Sequence, residues 1–490
     1  MMVRTRRKVF KGGPHEKGMI LAVATMVIVV MLIMAVPFLF KLSAQYRTTE
    51  KGQKSVSAFN LAEAGVERAL WEMNQPWTVD GGLVWDESQQ GTETIPDLTG
   101  ADGTVIGDVN ILVTSPTGGT PDTRAIEGTG LVPFVGTATV NRTARVNLEK
   151  YFKSIWDFGF FADTDVYVRT NIYIDSYNSK RGVYGINNRG NQGHIGTNGN
   201  EENAFDVNQG TSSFIYGNIA SGVGSDPTNL DNIINLPSDD IFQTYDTSTV
   251  VVGERRILSA PFEMPSVDIF DLPPRTMFNT SYDFSTWFSA QTDPSASLST
   301  GDIAAGMNRG TYAPGQGNFT MTPADSGVYT NFNLSKSNVT ISGNVAIYVT
   351  GLDGATGTFN MGVNSSITIG PNSSLTLIFG KTTYYQANNT SINNSTSPEN
   401  LIILGTDQFT GTMNYKCNSD NKAAIYVPRA EFSVANSNTT ISGAVVCRRF
   451  DFPVNINLHY DEALADLDYV KGGIPYWKIT SWQERLGGGQ

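Results

Sequence analysis

The chain is poor in the residues that most enzymes use for chemistry. Histidine occurs only as His15, His194 and His459, which lie far apart. That scarcity argues against a histidine-rich metal centre or a histidine triad and leaves only carboxylate chemistry to consider. The two cysteines, Cys417 and Cys447, form no CxxC pair, so a thiolate zinc site is not expected. A single Cys417–Cys447 disulfide and two buried thiols are both open readings. Charged residues are 16% of the chain, against about 25% in typical soluble domains. Lys and Arg number 34 against 46 Asp and Glu, a net charge of −12. Binding to nucleic acid is not predicted, because phosphate contacts need a cationic surface. No Walker loop, HExxH, GxSxG or EF-hand spacing is present.

What is abundant points elsewhere. There are 490 residues, 49 of them Gly, with many Asn, Ser and Thr. Such a chain suits short strands joined by tight turns rather than a helical bundle. Positive charge is concentrated at the start, where Arg4, Arg6, Arg7, Lys8, Lys11 and Lys17 face Glu16 alone. This basic stretch runs straight into Met19–Phe40, which carries no charge. As a helix that run would be about 33 Å long, enough to cross a bilayer core. The flanking charge predicts a cytoplasmic N-terminus and an exported remainder. The run is too long for a cleaved signal peptide.

The helical pattern continues beyond the apolar run. Val56, Phe59, Ala62, Val66, Ala69, Leu70 and Met73 recur at three- and four-residue spacing, one stripe of an amphipathic helix. One helix from Met19 to Met73 is predicted, stopped at Asn74 and Pro76. A basic leader ending in Lys17-Gly18-Met19, the apolar run Ile20–Phe40 and the stretch AFNLAEAGVERAL resemble type IV pilins and pseudopilins. The stretch that includes Ala62, Glu63, Ala64 and Gly65 is similar to the A-x-x-A-E-A-G signature of PilX-type minor pilins. The resemblance implies cleavage by a prepilin peptidase after Gly18 and N-methylation of Met19. It also implies packing against other pilin subunits through the helix. Main pilins carry Glu at the fifth mature position, where this chain has Val23. The departure suits a rare, tip or accessory subunit.

The predicted fold class is α+β. A leader (1–18) precedes the pilin-like helix (19–75, transmembrane over 19–40) and a small antiparallel β-unit (76–150). The unit reads as strands Val105–Val113, Arg124–Gly130 and Thr137–Leu148, with a turn at Gly118-Gly119. Beyond it, apolar runs recur every 20–30 residues between Asn/Ser/Gly turns, for example at Val345–Val349, Leu375–Phe379 and Leu401–Leu404. That spacing predicts a right-handed parallel β-helix or similar solenoid, with a β-sandwich as the alternative. Its parts are 151–258 and 311–470, separated by a Pro-rich connector or insertion (259–310) and followed by a C-terminal strand and tail (471–490). The ending HYDEAL at 459–464 and the strand WKITSWQE at 477–484 resemble the close of Asn/Gly-rich β domains in PilX-type proteins.

No catalytic residue, metal or cofactor is assigned. Asp163 and Asp165 would share one face if they lay on a strand, and Asp461-Glu462 is a second acidic pair. His459 reads as a structural cap, and Arg448-Arg449 as a solvated edge. Tyr384-Tyr385 is a candidate platform for a surface glycan or host ligand. The expected role is therefore a minor pilin-like structural subunit, made in the inner membrane and displayed at the cell surface. The alternative is a single-pass surface β-helix protein acting as an adhesin or polysaccharide-active enzyme.

Overall fold

The computed structural model describes residues 14–75, 90–101, 103–115, 122–134, 138–152, 154–207, 213–236, 241–242, 253–267, 275–277, 280–282, 284–288, 298–416, 421–434, 439–467, 473 and 475–486. Most of the leader, Pro76, the Gly118-Gly119 turn and Cys417 lie outside those residues.

A single helix, Pro14–Met73, opens the structure and carries Pro37 inside it. Its apolar half has few polar side chains, and Thr25 returns its hydroxyl to the Leu21 carbonyl at 2.8 Å. The helix ends where Asn74 turns its side chain outward. Asn74 Nδ2 donates to the Trp477 carbonyl at 3.1 Å, and the Trp477 N–H donates to Asn74 Oδ1 at 2.6 Å.

Against the C-terminal half of the helix lies an antiparallel sheet. Its strands are β1 (Gly91–Thr99), β2 (Val105–Thr114), β3 (Thr123–Pro133) and β4 (Thr139–Phe152). The C-terminal strand Pro475–Leu486 completes the sheet by pairing with β4. This differs from the sequence expectation twice. β1 was not anticipated, because its alternation is broken around Asp97, whose φ is 53°, and none of its residues is fully buried. The closing strand belongs to this sheet and not to the Asn/Gly-rich body. Its inward Trp477 fills the end of the core formed by Ala69, Met73, Ile126, Val146 and Leu148.

The remainder is built mostly from strands that pair in parallel, with one small antiparallel pair, Arg275–Met277 and Thr280–Tyr282. In the first ladder, Gly327–Leu334, Asn344–Val349, Ser374–Phe379 and Leu401–Gly405 stack in register, followed by Asn421–Val434 and Thr439–Phe452. Val445–Cys447 then pairs with Phe160–Ala162, which continues through Ile195–Thr197 and Ile219–Ser221 to Arg255–Ile257. A second ladder runs through Phe332, Phe359, Tyr384, Phe432, Phe450, Val166 and Phe205. A third includes Phe319, Val339, Ile367 and Ile392. Inward side chains from all three form one core.

The order of rungs is not the order of the chain. The polypeptide enters mid-stack at Phe160 and builds rungs toward Arg255–Ile257. It resumes at the opposite end with Asn308–Tyr312 and returns to meet its own first rung. Described residues between the two ends pack on the outer apolar side of the first ladder, where Phe262, Met264, Trp287 and Ile303 join Phe161, Ile378, Leu404 and Val446. Phe262 stacks on Phe161 at 4.0 Å between centroids. Where it is described, the expected extended connector acts as a strap, which supplies the second hydrophobic layer the ladder's outer face needs.

Candidate functional site

The helix itself is the most distinctive surface. Leu21–Met73 contains a window of mean hydropathy 2.8 that no other part of the structure covers. Met19, Leu21, Met26, Ile33, Phe38 and Phe40 are 64–72% exposed and point to all sides of the helix. Val23 stands among them without a carboxylate neighbour on the same run. A helix apolar all round has to be covered by lipid or by protein. Gly18 and Met19, the pair expected from the sequence to mark processing, lie within the helix near its start.

The Ala62-Glu63-Ala64-Gly65 stretch lies in the other half. Ala58, Ala62, Val66 and Ala69 are fully buried on the sheet. Gly65 faces β2 so closely that a Cβ there would lie 2.6 Å from Val109 Cγ2. From the opposite side, a Cβ on Gly130 would lie 1.9 Å from the Ala58 carbonyl oxygen, and one on Gly128 2.3 Å from that of Ala62. Small residues on both partners thus bring helix and β3 into backbone contact. Glu63 is half-exposed and Ala64 is exposed. Gly128 and Gly130, which complete the seam, were missed in the sequence; the G-x-G inside an alternating strand was the available signal.

The carboxylates considered for chemistry have structural duties. Asp163 and Asp165 lie in the bend between Phe160–Ala162 and Val166–Val168, not on a strand as their shared face required. The corner between two ladders interrupts the extended backbone there. Asp163 Oδ1 accepts from Asn198 Nδ2 at 3.1 Å, and Asp165 lies 3.9 Å from Arg449. Asp461 caps the turn Glu462–Asp466 and also accepts the Ser179 N–H at 2.9 Å. Glu462 accepts from Ser176 Oγ at 2.8 Å.

His459 pairs with Asp175, Nδ1 to Oδ1 at 2.5 Å. Tyr184 stacks on the His459 ring and donates to Asp175 Oδ2 at 2.7 Å. Burial and that bond push the Tyr184 phenol well up. The cluster pins the loop around Tyr184 where the first and last rungs meet. His194 is half-buried, with its ring beside Phe158 and Nε2 3.0 Å from Gln192 Oε1, and desolvation pushes its pKa down to about 4. Its Nδ1 accepts the Asn218 N–H at 2.9 Å.

Cys447 is a free, fully buried thiol whose pKa burial pushes up. Arg449 lies over the Tyr167 ring at 4.7 Å. The tyrosine pair divides, with Tyr384 buried in a stacked column beside Phe359 and Tyr385 55% exposed. Among the described residues no group of three or more His, Cys, Asp or Glu side chains could hold a metal.

Residues 293–467 match the model of a domain of unknown function, DUF7305. They take in the end of the strap and the rungs from Asn308–Tyr312 to Ile456–Asp461. No curated protein matches the chain. Among solved structures, the chain is similar to the competence-associated pilin ComZ from Thermus thermophilus at 10% identity. That match covers 89% of this chain and 98% of the other, with a TM-score of 0.26. A superposition at that score does not establish a shared fold.

Proposed function

We propose that the chain is a minor pilin-like structural subunit of a bacterial type IV or type II secretion-like filament. One observation carries this reading. A single unbroken helix is bare and apolar over Met19–Phe40 and locked into a sheet over Ala58–Met73. A simple tether needs only the first half. A filament subunit needs both, because the docked half fixes the body to a rod that neighbours must grip. Exchange of lipid for neighbouring helices moves the rod between two apolar surroundings, so extraction costs little.

In this reading the leader is cut after Gly18 by a prepilin peptidase, and Met19 becomes the methylated N-terminus. Before assembly the chain spans the inner membrane with its N-terminus in the cytoplasm. The body is then displayed outside the cell. We read the parallel body as a right-handed β-solenoid, supported by the in-register stacking of three ladders. A β-sandwich is built from antiparallel sheets. The body serves display rather than catalysis, a reading supported by the structural duties of Asp163, Asp461 and Glu462.

Mass spectrometry of the chain from cells with an active prepilin peptidase tests the reading. The expected mature species begins at methylated Met19. A chain that retains residues 1–18 would contradict it.

A further inference from the structure

The body presents two neutral polar faces, and they treat their side chains differently. On the third ladder, Asn338 Nδ2 donates to Asn318 Oδ1 at 3.1 Å and Ser366 Oγ donates to Asn338 Oδ1 at 2.8 Å. That column is zipped to itself. On the second ladder the strands Gly357–Met361, Thr382–Gln386 and Thr412–Tyr415 carry no charged residue. Thr358 and Asn360 pair in register with Thr383 and Tyr385, and Thr412 and Asn414 stand on the next strand. Alternate residues point inward, so these six form two outward columns. Among the described residues, no side-chain hydrogen bond holds Thr383, Thr412 or Asn414, and Asn360 Oδ1 is buried without a partner. Tyr385 rises from the middle of the strip, 55% exposed.

We infer that this strip binds an extended, uncharged polysaccharide whose chain runs across the rungs. The inference rests on the reading of the body as an exported, displayed domain. Three properties select the ligand. Uncommitted amides and hydroxyls complement sugar hydroxyls in both donor and acceptor roles. The exposed tyrosine offers an apolar ring face with a polar tip. The three strands hold no Lys or Arg, and the flanking Lys381 and Lys416 direct their ammonium groups to the Gly354 carbonyl and Asn388 Oδ1, so the strip itself gives an acidic polysaccharide nothing to pair with. Rungs of a parallel ladder are about 4.8 Å apart, near the rise of one sugar in an extended glycan. Side chains mounted on a sheet are already ordered, so binding costs little conformational entropy.

The test uses the full-length chain in detergent, run through gels containing xylan, mixed-linkage β-glucan, galactomannan, dextran or alginate. At least one neutral polymer retards the protein and alginate does not. Tyr385→Ala weakens retention at least tenfold, Tyr385→Phe stays within about twofold because the ring remains, and Asn414→Ala weakens it several-fold. Thr340→Ala, on the third ladder and away from the strip, leaves it unchanged. Unchanged thermal unfolding certifies each variant as folded. No retention by any neutral polymer, retention by alginate alone, or indifference to both Tyr385→Ala and Asn414→Ala overturns the inference. These gels do not depend on filament assembly, so their failure leaves the mature N-terminus to judge the subunit reading, and the converse holds.

Discussion

The two halves of the helix follow the same backbone geometry and opposite surface rules. Over Met19–Phe40 the described side chains are mostly large and apolar, and they are exposed in every direction. Over Ala58–Met73 the residues facing the sheet are mostly small, and the glycines of β3 come to meet them. The first half leaves its partner open, since any apolar surface fits. The second half fixes one partner at one register, because only Ala and Gly allow backbones so close. The contrast separates a region open to any apolar neighbour from one fixed to a single partner.

The strongest way to break this contrast is to fill the seam. Gly130→Val would drive a side chain into the Ala58 carbonyl. Overpacking at a backbone contact is expected to cost at least about 3 kcal/mol. Thermal unfolding of the full chain in detergent should show the antiparallel unit lost or strongly destabilised. A wild-type transition would mean the seam is loose.

The mirror experiment puts a charge on the open half. Val29→Lys, which no part of the structure covers, should leave the body's unfolding unchanged. Its cost falls on membrane insertion, about 3 kcal/mol at mid-bilayer, and on assembly. Filament yield after shearing, scored beside the unfolding curve, checks both halves of that statement.

The join of helix and sheet is sharpened by Asn74→Ala. It removes both hydrogen bonds to the Trp477 main chain, and the loss is expected to be about 1–3 kcal/mol. Chemical denaturation measures it. No change would show that Trp477 packing alone holds the C-terminal strand.

Acid separates the regions in a further way. The run Met19–Phe40 holds no titratable side chain. In the body, His194 is held neutral, with a pKa lowered from 6.5 to about 4 by burial. Its contribution to stability is complete above about pH 6.5 and is lost as pH falls toward 4, at no more than about 1.4 kcal/mol per unit. Unfolding followed between pH 7 and 4 should show that slope in the wild type and a weaker one in His194→Gln. Equal slopes would remove His194 from the account.

Much of this was legible in the sequence because its signals are local. The charge-free run and the stripe at Ala62, Val66 and Ala69 announce the helix within a few turns. The body's strands showed as short apolar runs between Asn and Gly turns. What could not be read was which strands meet. Phe160–Ala162 pairs with Val445–Cys447, and Pro475–Leu486 pairs with β4. Both contacts join residues hundreds apart in the chain, and no periodicity encodes them. The D-x-D at Asp163 failed for a related reason, since a corner between ladders has no sequence period. Tyr384 and Tyr385 could be seen as a pair, but only the register of the ladder shows which one faces out.

The central claim is that Met19–Phe40 is gripped by other subunits. Site-specific photo-crosslinking from position 29 in living cells addresses it most directly. The account predicts adducts between this chain and another helical subunit in sheared extracellular filaments. Crosslinks to lipid alone, with the chain absent from those filaments, would contradict it.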